Sequence, residues 1–94
     1  MNQILGIAWF RADQWTRLRD LSSDSDQIDE LYEDWLDYAE KQVEDLRARG
    51  FDARKVDVDV DELLMWCKNK KLPVNIKTRS DYVAYKLLHD AKKY

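Results

Sequence analysis

The sequence predicts a mixed α/β fold, or the related α+β arrangement: a sheet of two or three strands covered by about four helices, in the order β-α-α-β-α-(β)-α. Three observations lead there. Ile4–Phe10 is a continuous apolar run of strand length. Val56, Val58 and Val60 alternate with Asp57 and Asp59. Most of the remaining chain carries apolar residues at spacings of three and four, and it holds only two glycines and one proline.

Ile4–Phe10 carries no charge, which fits a strand buried on both faces or nearly so. Residues 11–21 place Ala12, Trp15, Leu18 and Leu21 on one side of a helix. Ser22 to Asp26 is a polar break; Ser23 with Asp26, or Asp24 with Gln27, suits a helix start. The next helix is the clearest element. Ile28, Leu31, Tyr32, Trp35, Ala39, Val43 and Leu46 form one stripe, and acids fill the opposite side. Arg47 and Arg49 suit the negative end of its dipole, and Gly50 fits the left-handed position beyond it.

The alternating valines then read as a strand with one face buried and one wet. Asp59 or Asp61 suits the cap of a third helix, in which Leu63 to Cys67 is apolar nearly all round. Lys68, Lys70 and Lys71 close that helix, and Pro73 breaks it. Leu72, Val74 and Ile76 alternate, which fits a third strand or an extended linker equally. Thr78-Arg79-Ser80-Asp81 matches a capping box before a last helix with Val83, Ala84, Leu87, Leu88 and Ala91 on its buried side.

The first strand is expected beside the second; a parallel pair joined by the two-helix crossover would be right-handed. Two strands alone are marginal in water. The outer edge of the first therefore needs a cover: residues 72–77, a helix, or a second copy of the chain. Ninety-four residues without repeat or low-complexity tract fit one domain spanning 1–94. The single Cys67 allows no internal disulfide and no cysteine-based zinc site, and His89 is the one histidine. No apolar run reaches membrane-spanning length, and Ile4–Phe10 lacks a basic leader. A cytoplasmic protein without membrane association is expected.

The net charge of −3 excludes a globally basic nucleic-acid binder. The charge is nevertheless split. Residues 20–45 hold eleven acids and one base, whereas residues 62–94 hold eight bases and three acids. An acidic helix face can mimic nucleic acid, or simply be solvated, with pairing between the acidic and basic stretches within or between chains. In the basic third, Lys71, Lys77 and Arg79, with Lys68 and Lys70, are candidates to hold phosphates, and Tyr82 and Tyr85 to stack on bases. Asp57, Asp59 and Asp61 alternate like the start of a calcium loop, but the required sixth Gly and twelfth Glu are replaced by Glu62 and Lys68. Cys67 and His89 are the only thiolate–imidazole candidates, and Cys67 sits in an apolar run. Paired acids on the long helix lack the histidines of a di-iron site.

No P-loop, dinucleotide turn or nucleophile elbow is present. No cofactor, resident metal or catalytic residue is therefore expected. Eleven aromatics in so short a chain exceed what one small core hides, with Tyr32, Tyr38, Tyr82 and Tyr85 flanking the apolar stripes. Trp9, Trp15, Trp35 and Trp66 are expected in the core. The sequence names no function. The reading it favours is a non-enzymatic protein-interaction or regulatory module, binding a protein partner or itself, with a homodimer completing the sheet. The alternatives are a nucleic-acid-facing module using residues 68–86, and a small metal-dependent or ligand site near Asp57, Asp59 and Asp61.

Overall fold

A computed structural model of the chain describes residues 3–91. Strand β1 (Ile4–Phe10) leads through a short 3-10 turn into helix α1 (Trp15–Leu21). Helix α2 (Tyr32–Ala48), strand β2 (Asp52–Val58), and helices α3 (Val60–Asn69) and α4 (Ile76–Ala91) follow. The fold is mixed α/β in the order β-α-α-β-α-α. β1 and β2 pair in parallel, with Ile4 opposite Asp52 and Phe10 opposite Val58. They are the whole sheet among the described residues.

The third strand is absent. Residues 72–77 leave α3 through Val74, which makes an isolated parallel bridge to Ser22, and Ile76 already begins α4. The capping box forms three residues earlier than Thr78–Asp81. Asn75 Oδ1 accepts from the Thr78 N–H at 3.0 Å, and Thr78 Oγ1 accepts from the Asn75 N–H at 2.9 Å. The long helix also starts late, because residues 25–27 form a 3-10 turn and Leu31 stays exposed and extended. Val60 is the first residue of α3 rather than the end of β2. Asp59 caps that helix through the Asp61 and Glu62 N–H groups at 2.9 and 3.2 Å.

Two helices end in the same left-handed motif. After α2, the Gly50 N–H donates to the Arg47 carbonyl and the Phe51 N–H to the Leu46 carbonyl. Gly50 takes φ +94°, as its position predicts. After α3, the Lys71 and Leu72 N–H groups repeat this on Lys68 and Cys67, but the left-handed residue is Lys71, at φ 58°. A side chain at such an angle is strained where glycine is not.

The sheet is covered on both faces. An added Cβ at Gly6 would lie 2.9 Å from Val83 Cγ1 and 3.4 Å from both Leu87 Cδ2 and Val56 Cγ2, so this face is pressed against α4. Trp9, on the opposite face by strand alternation, meets Trp35 of α2 at 5.5 Å between ring centroids. The main core runs from Phe10, Trp15 and Leu18 through Val56, Val58 and Leu63 to Cys67, Val74 and Val83.

Two expectations about burial need correction. β1 is not buried on both faces along its length: Phe10 is buried, but Ile4 is 46% exposed and the residues between are half-buried. Of the four tryptophans only Trp15 is fully buried; Trp9, Trp35 and Trp66 sit at the rim.

Candidate interaction surface

The two strands of a parallel pair each keep one side for the ladder and turn the other outward, residue by residue. The Asp52 N–H donates to the Gln3 carbonyl at 2.9 Å, which fixes the phase. Asp52, Arg54, Val56 and Val58 direct their backbone groups toward β1. Ala53, Lys55 and Asp57 direct theirs to the far edge. On β1, Leu5, Ile7 and Trp9 face the ladder, while Ile4, Gly6, Ala8 and Phe10 point outward.

The outward groups of the two strands meet different fates. On β2, the Ala53 carbonyl accepts from Arg47 Nε and Nη2 at 3.1 and 3.0 Å. The Asp57 carbonyl accepts from Lys86 Nζ at 2.7 Å. On β1, the Phe10 carbonyl accepts from the Tyr32 hydroxyl at 2.9 Å. The outward N–H and C=O groups of Ile4, Gly6 and Ala8 have no hydrogen-bond partner among the described residues.

Beside this bare edge lies a groove of about 460 Å³ between β1 and α4. Ile4, Gly6, Ala8 and Phe10 form one wall, and Ile76, Ser80, Val83, Ala84 and Leu87 much of the other. Ile76 is 71% exposed, an unusual state for an isoleucine on a helix that packs on a sheet. Arg79, the one charged residue in the lining, is held from the side by Asp24.

No family model, no curated protein and no solved structure matches the chain.

The five residues singled out in the basic third have different surroundings. Arg79 binds both Asp24 carboxylate oxygens at 2.8 and 2.9 Å and Ser22 Oγ at 3.2 Å. The hydrogen bonds from Arg79 hold Asp24 below the usual carboxylate range. Asp24 also accepts from the Ile76 N–H at 3.0 Å, so the pair pins the start of α4 to the loop after α1. Lys77 bridges to Asp81 one turn on, on an exposed face. Lys71 is the left-handed residue ending α3. Tyr82 is buried, and its hydroxyl is pushed up to about 12, first by burial and then by Glu62.

Tyr85 is exposed and stacks with Trp66, Tyr82 and His89 at centroid distances of 5.8, 6.2 and 4.1 Å. These rings line a shallow recess with Glu62, Met65, Asn69 and Lys86. The rings fill their own gaps, and Lys70 Nζ already sits 5.0 Å over Trp66. Of the other flanking tyrosines, Tyr38 is exposed and Tyr32 half-buried.

The three alternating aspartates are each engaged. Arg11 binds Asp57 through Nε and Nη2 at 3.2 and 2.6 Å, and reaches Asp59 at 3.3 Å. These hydrogen bonds hold Asp57 below its ordinary value. Asp59 is held low first by the Glu62 N–H that it caps. Asp61 binds Arg17 Nε at 2.6 Å. Among the described residues no group of three or more acids, histidines or cysteines is placed to hold a metal ion. Cys67 is buried, whereas His89 is exposed against Tyr85. No helix is long and apolar enough to cross a membrane among the described residues.

The residues sequence reading missed are Ile4, Gly6 and Ala8 as outward-facing edge groups, and Arg47 and Lys86 as caps of the other edge. A signal was present. Edge strands normally carry charge or proline to discourage pairing, and Ile4–Phe10 carries neither.

Proposed function

We propose that the chain is a non-enzymatic interaction module that binds protein by strand addition at the free edge of β1. The observation that carries this reading is the row of backbone groups at Ile4, Gly6 and Ala8 that have no partner among the described residues, walled by an apolar groove. Strand addition takes its affinity from backbone hydrogen bonds and its selectivity from pockets for alternate side chains. β1 offers the first, and the groove against α4 offers the second. The engagement of Arg79, Lys77 and Lys86 within the fold weighs against a phosphate-binding role for the basic third.

The test is selection of a displayed library of random linear peptides on the purified chain, with counter-selection on Ala8→Pro. Proline there removes an outward N–H and leaves the ladder donors of β1 in place. Enrichment of extended peptides that bind the wild type and not the variant is the expected outcome. A library that yields no binders dependent on the edge contradicts the reading.

A further inference from the structure

We infer that the occupant of the β1 edge is a second copy of the chain, joined β1 to β1 in antiparallel fashion about a two-fold axis. This rests on the strand-addition reading above and narrows it to one partner. The completed sheet has the order β2-β1-β1-β2.

Three observations select a copy over an unrelated strand. The first is charge. Ile4–Phe10 contains no charged residue, so a two-fold axis brings no like charges face to face. Pairing β1 with the β2 edge of another copy would instead lay the apolar run against Arg54, Lys55 and Asp57, all exposed.

The second is where the acidic surface lies. α2 presents Glu33, Asp34, Asp37, Glu40, Glu44 and Asp45 to solvent, offset by Lys41 and Arg49. This helix packs chiefly on β2. Two copies meeting at β1 therefore carry their acidic helices toward the outer ends of the joint sheet, where repulsion is weakest.

The third is closure. A foreign strand added to β1 would bring a new outer edge that itself needs cover. A second copy brings β2, whose outward carbonyls at Ala53 and Asp57 are already taken by Arg47 and Lys86. One bare edge and one blunted edge per chain give a closed pair, not a filament. The sheet also rises from two strands to four.

The outward phase of β1 restricts the pairing register. Even-numbered residues turn their backbone groups outward, so Ile4, Gly6 and Ala8 pair with even-numbered residues of the copy. Their side chains lie on the α4 face, which puts both α4 helices on the same side of the joint sheet.

The experiment combines sedimentation velocity over a wide concentration range with isotope-filtered NMR on mixed labelled and unlabelled full-length protein. The expected result is a reversible dimer with interchain contacts between β1 backbone protons. Ile4→Lys, at an exposed position that tolerates a charge, is expected to raise the dissociation constant at least about tenfold while the monomer stays folded. Ala8→Pro is expected to do the same by removing one donor. A chain monomeric at every concentration overturns the second-copy assignment; strand addition then stands or falls on the peptide selection alone. A dimer whose interchain contacts avoid β1, or one unmoved by Ile4→Lys, also overturns it. Assembly without limit overturns closure.

Discussion

The two edges of this sheet have the same backbone chemistry and opposite surroundings. At β2 the outward carbonyls of Ala53 and Asp57 accept from Arg47 and Lys86, and the strand itself is rich in charge. At β1 the outward groups of Ile4, Gly6 and Ala8 meet nothing among the described residues, and the strand is wholly uncharged. A sheet edge is a template for another strand unless something blunts it. In this molecule one edge is blunted by side chains from α2 and α4, and the outward groups of the other at Ile4, Gly6 and Ala8 have no hydrogen-bond partner among the described residues.

The strongest way to break the contrast is to spoil the groove. At Gly6 even a Cβ lies 2.9 Å from Val83 Cγ1, so Gly6→Val must lift α4 from β1. We expect a loss of about 3 kcal/mol in a urea melt, from overpacking. A loss under about 1 kcal/mol would mean that α4 yields easily and that the groove has no fixed shape.

Next in size is the Arg79–Asp24 pair, which anchors the start of α4 and thus the same wall. Its side chains are only 12% and 19% exposed. Arg79→Ala should cost about 2 kcal/mol, because it strands a largely buried carboxylate. The pair also sets an acid dependence. Asp24 titrates below the ordinary carboxylate value when folded, held there first by its hydrogen bonds from Arg79, so the unfolded chain takes up its proton first as pH falls. The contribution is complete above that ordinary value and is lost as pH drops through the folded one. Urea melts at neutral pH and near pH 3 should show this loss in the wild type and less of it in Asp24→Asn. Equal slopes would detach the pair from acid sensitivity.

A smaller effect tests the blunted edge directly. Arg47→Ala frees the Ala53 carbonyl and should cost about 1 kcal/mol. Its more telling readout is assembly. With Lys86→Ala added, the Ala53 and Asp57 carbonyls both lose their partners and join that of Lys55, which has none among the described residues, and sedimentation should show species larger than those of the wild type. An unchanged distribution would mean that charge on β2 is enough to blunt it.

The smallest change is a gain, remote from both edges. Lys71 holds φ 58°, so Lys71→Gly should stabilise the chain by about 0.5–1 kcal/mol without altering self-association. A loss of stability would show that the Lys71 side chain makes a contribution outweighing its strain.

Much of this fold is legible in the sequence, and the failures have causes. The β1 run, the α2 stripe from Tyr32 onward, Gly50 and the Asp59 cap are local patterns, and each appears where its pattern places it; Ile28 and Leu31 fall before the helix. For residues 72–77 the alternation of Leu72, Val74 and Ile76 left strand and linker equally open, and the linker is what forms. Val74 is drawn into the core, while Asn75 and Thr78 start a helix. The basic candidates lie in different surroundings; pairing between the acidic and basic stretches was expected as a class, but its partners are long-range. Arg79 finds Asp24, 55 positions away, and no local spacing announces that. The bare edge was half legible. An uncharged strand in a chain short of strands implied an uncovered side, but the outward phase of Gly6 and Ala8 and the capping by Arg47 and Lys86 depend on register and tertiary packing.

The most direct test of the contrast is residue-resolved amide hydrogen exchange by NMR, on a sample shown to be monomeric by sedimentation. Exchange along β1 should alternate: slow at Leu5, Ile7 and Trp9, whose N–H groups face the ladder, and fast at Gly6 and Ala8, whose N–H groups point outward. Uniform protection from Leu5 to Trp9 in that monomer would show that something within the chain covers the edge, and would contradict the account.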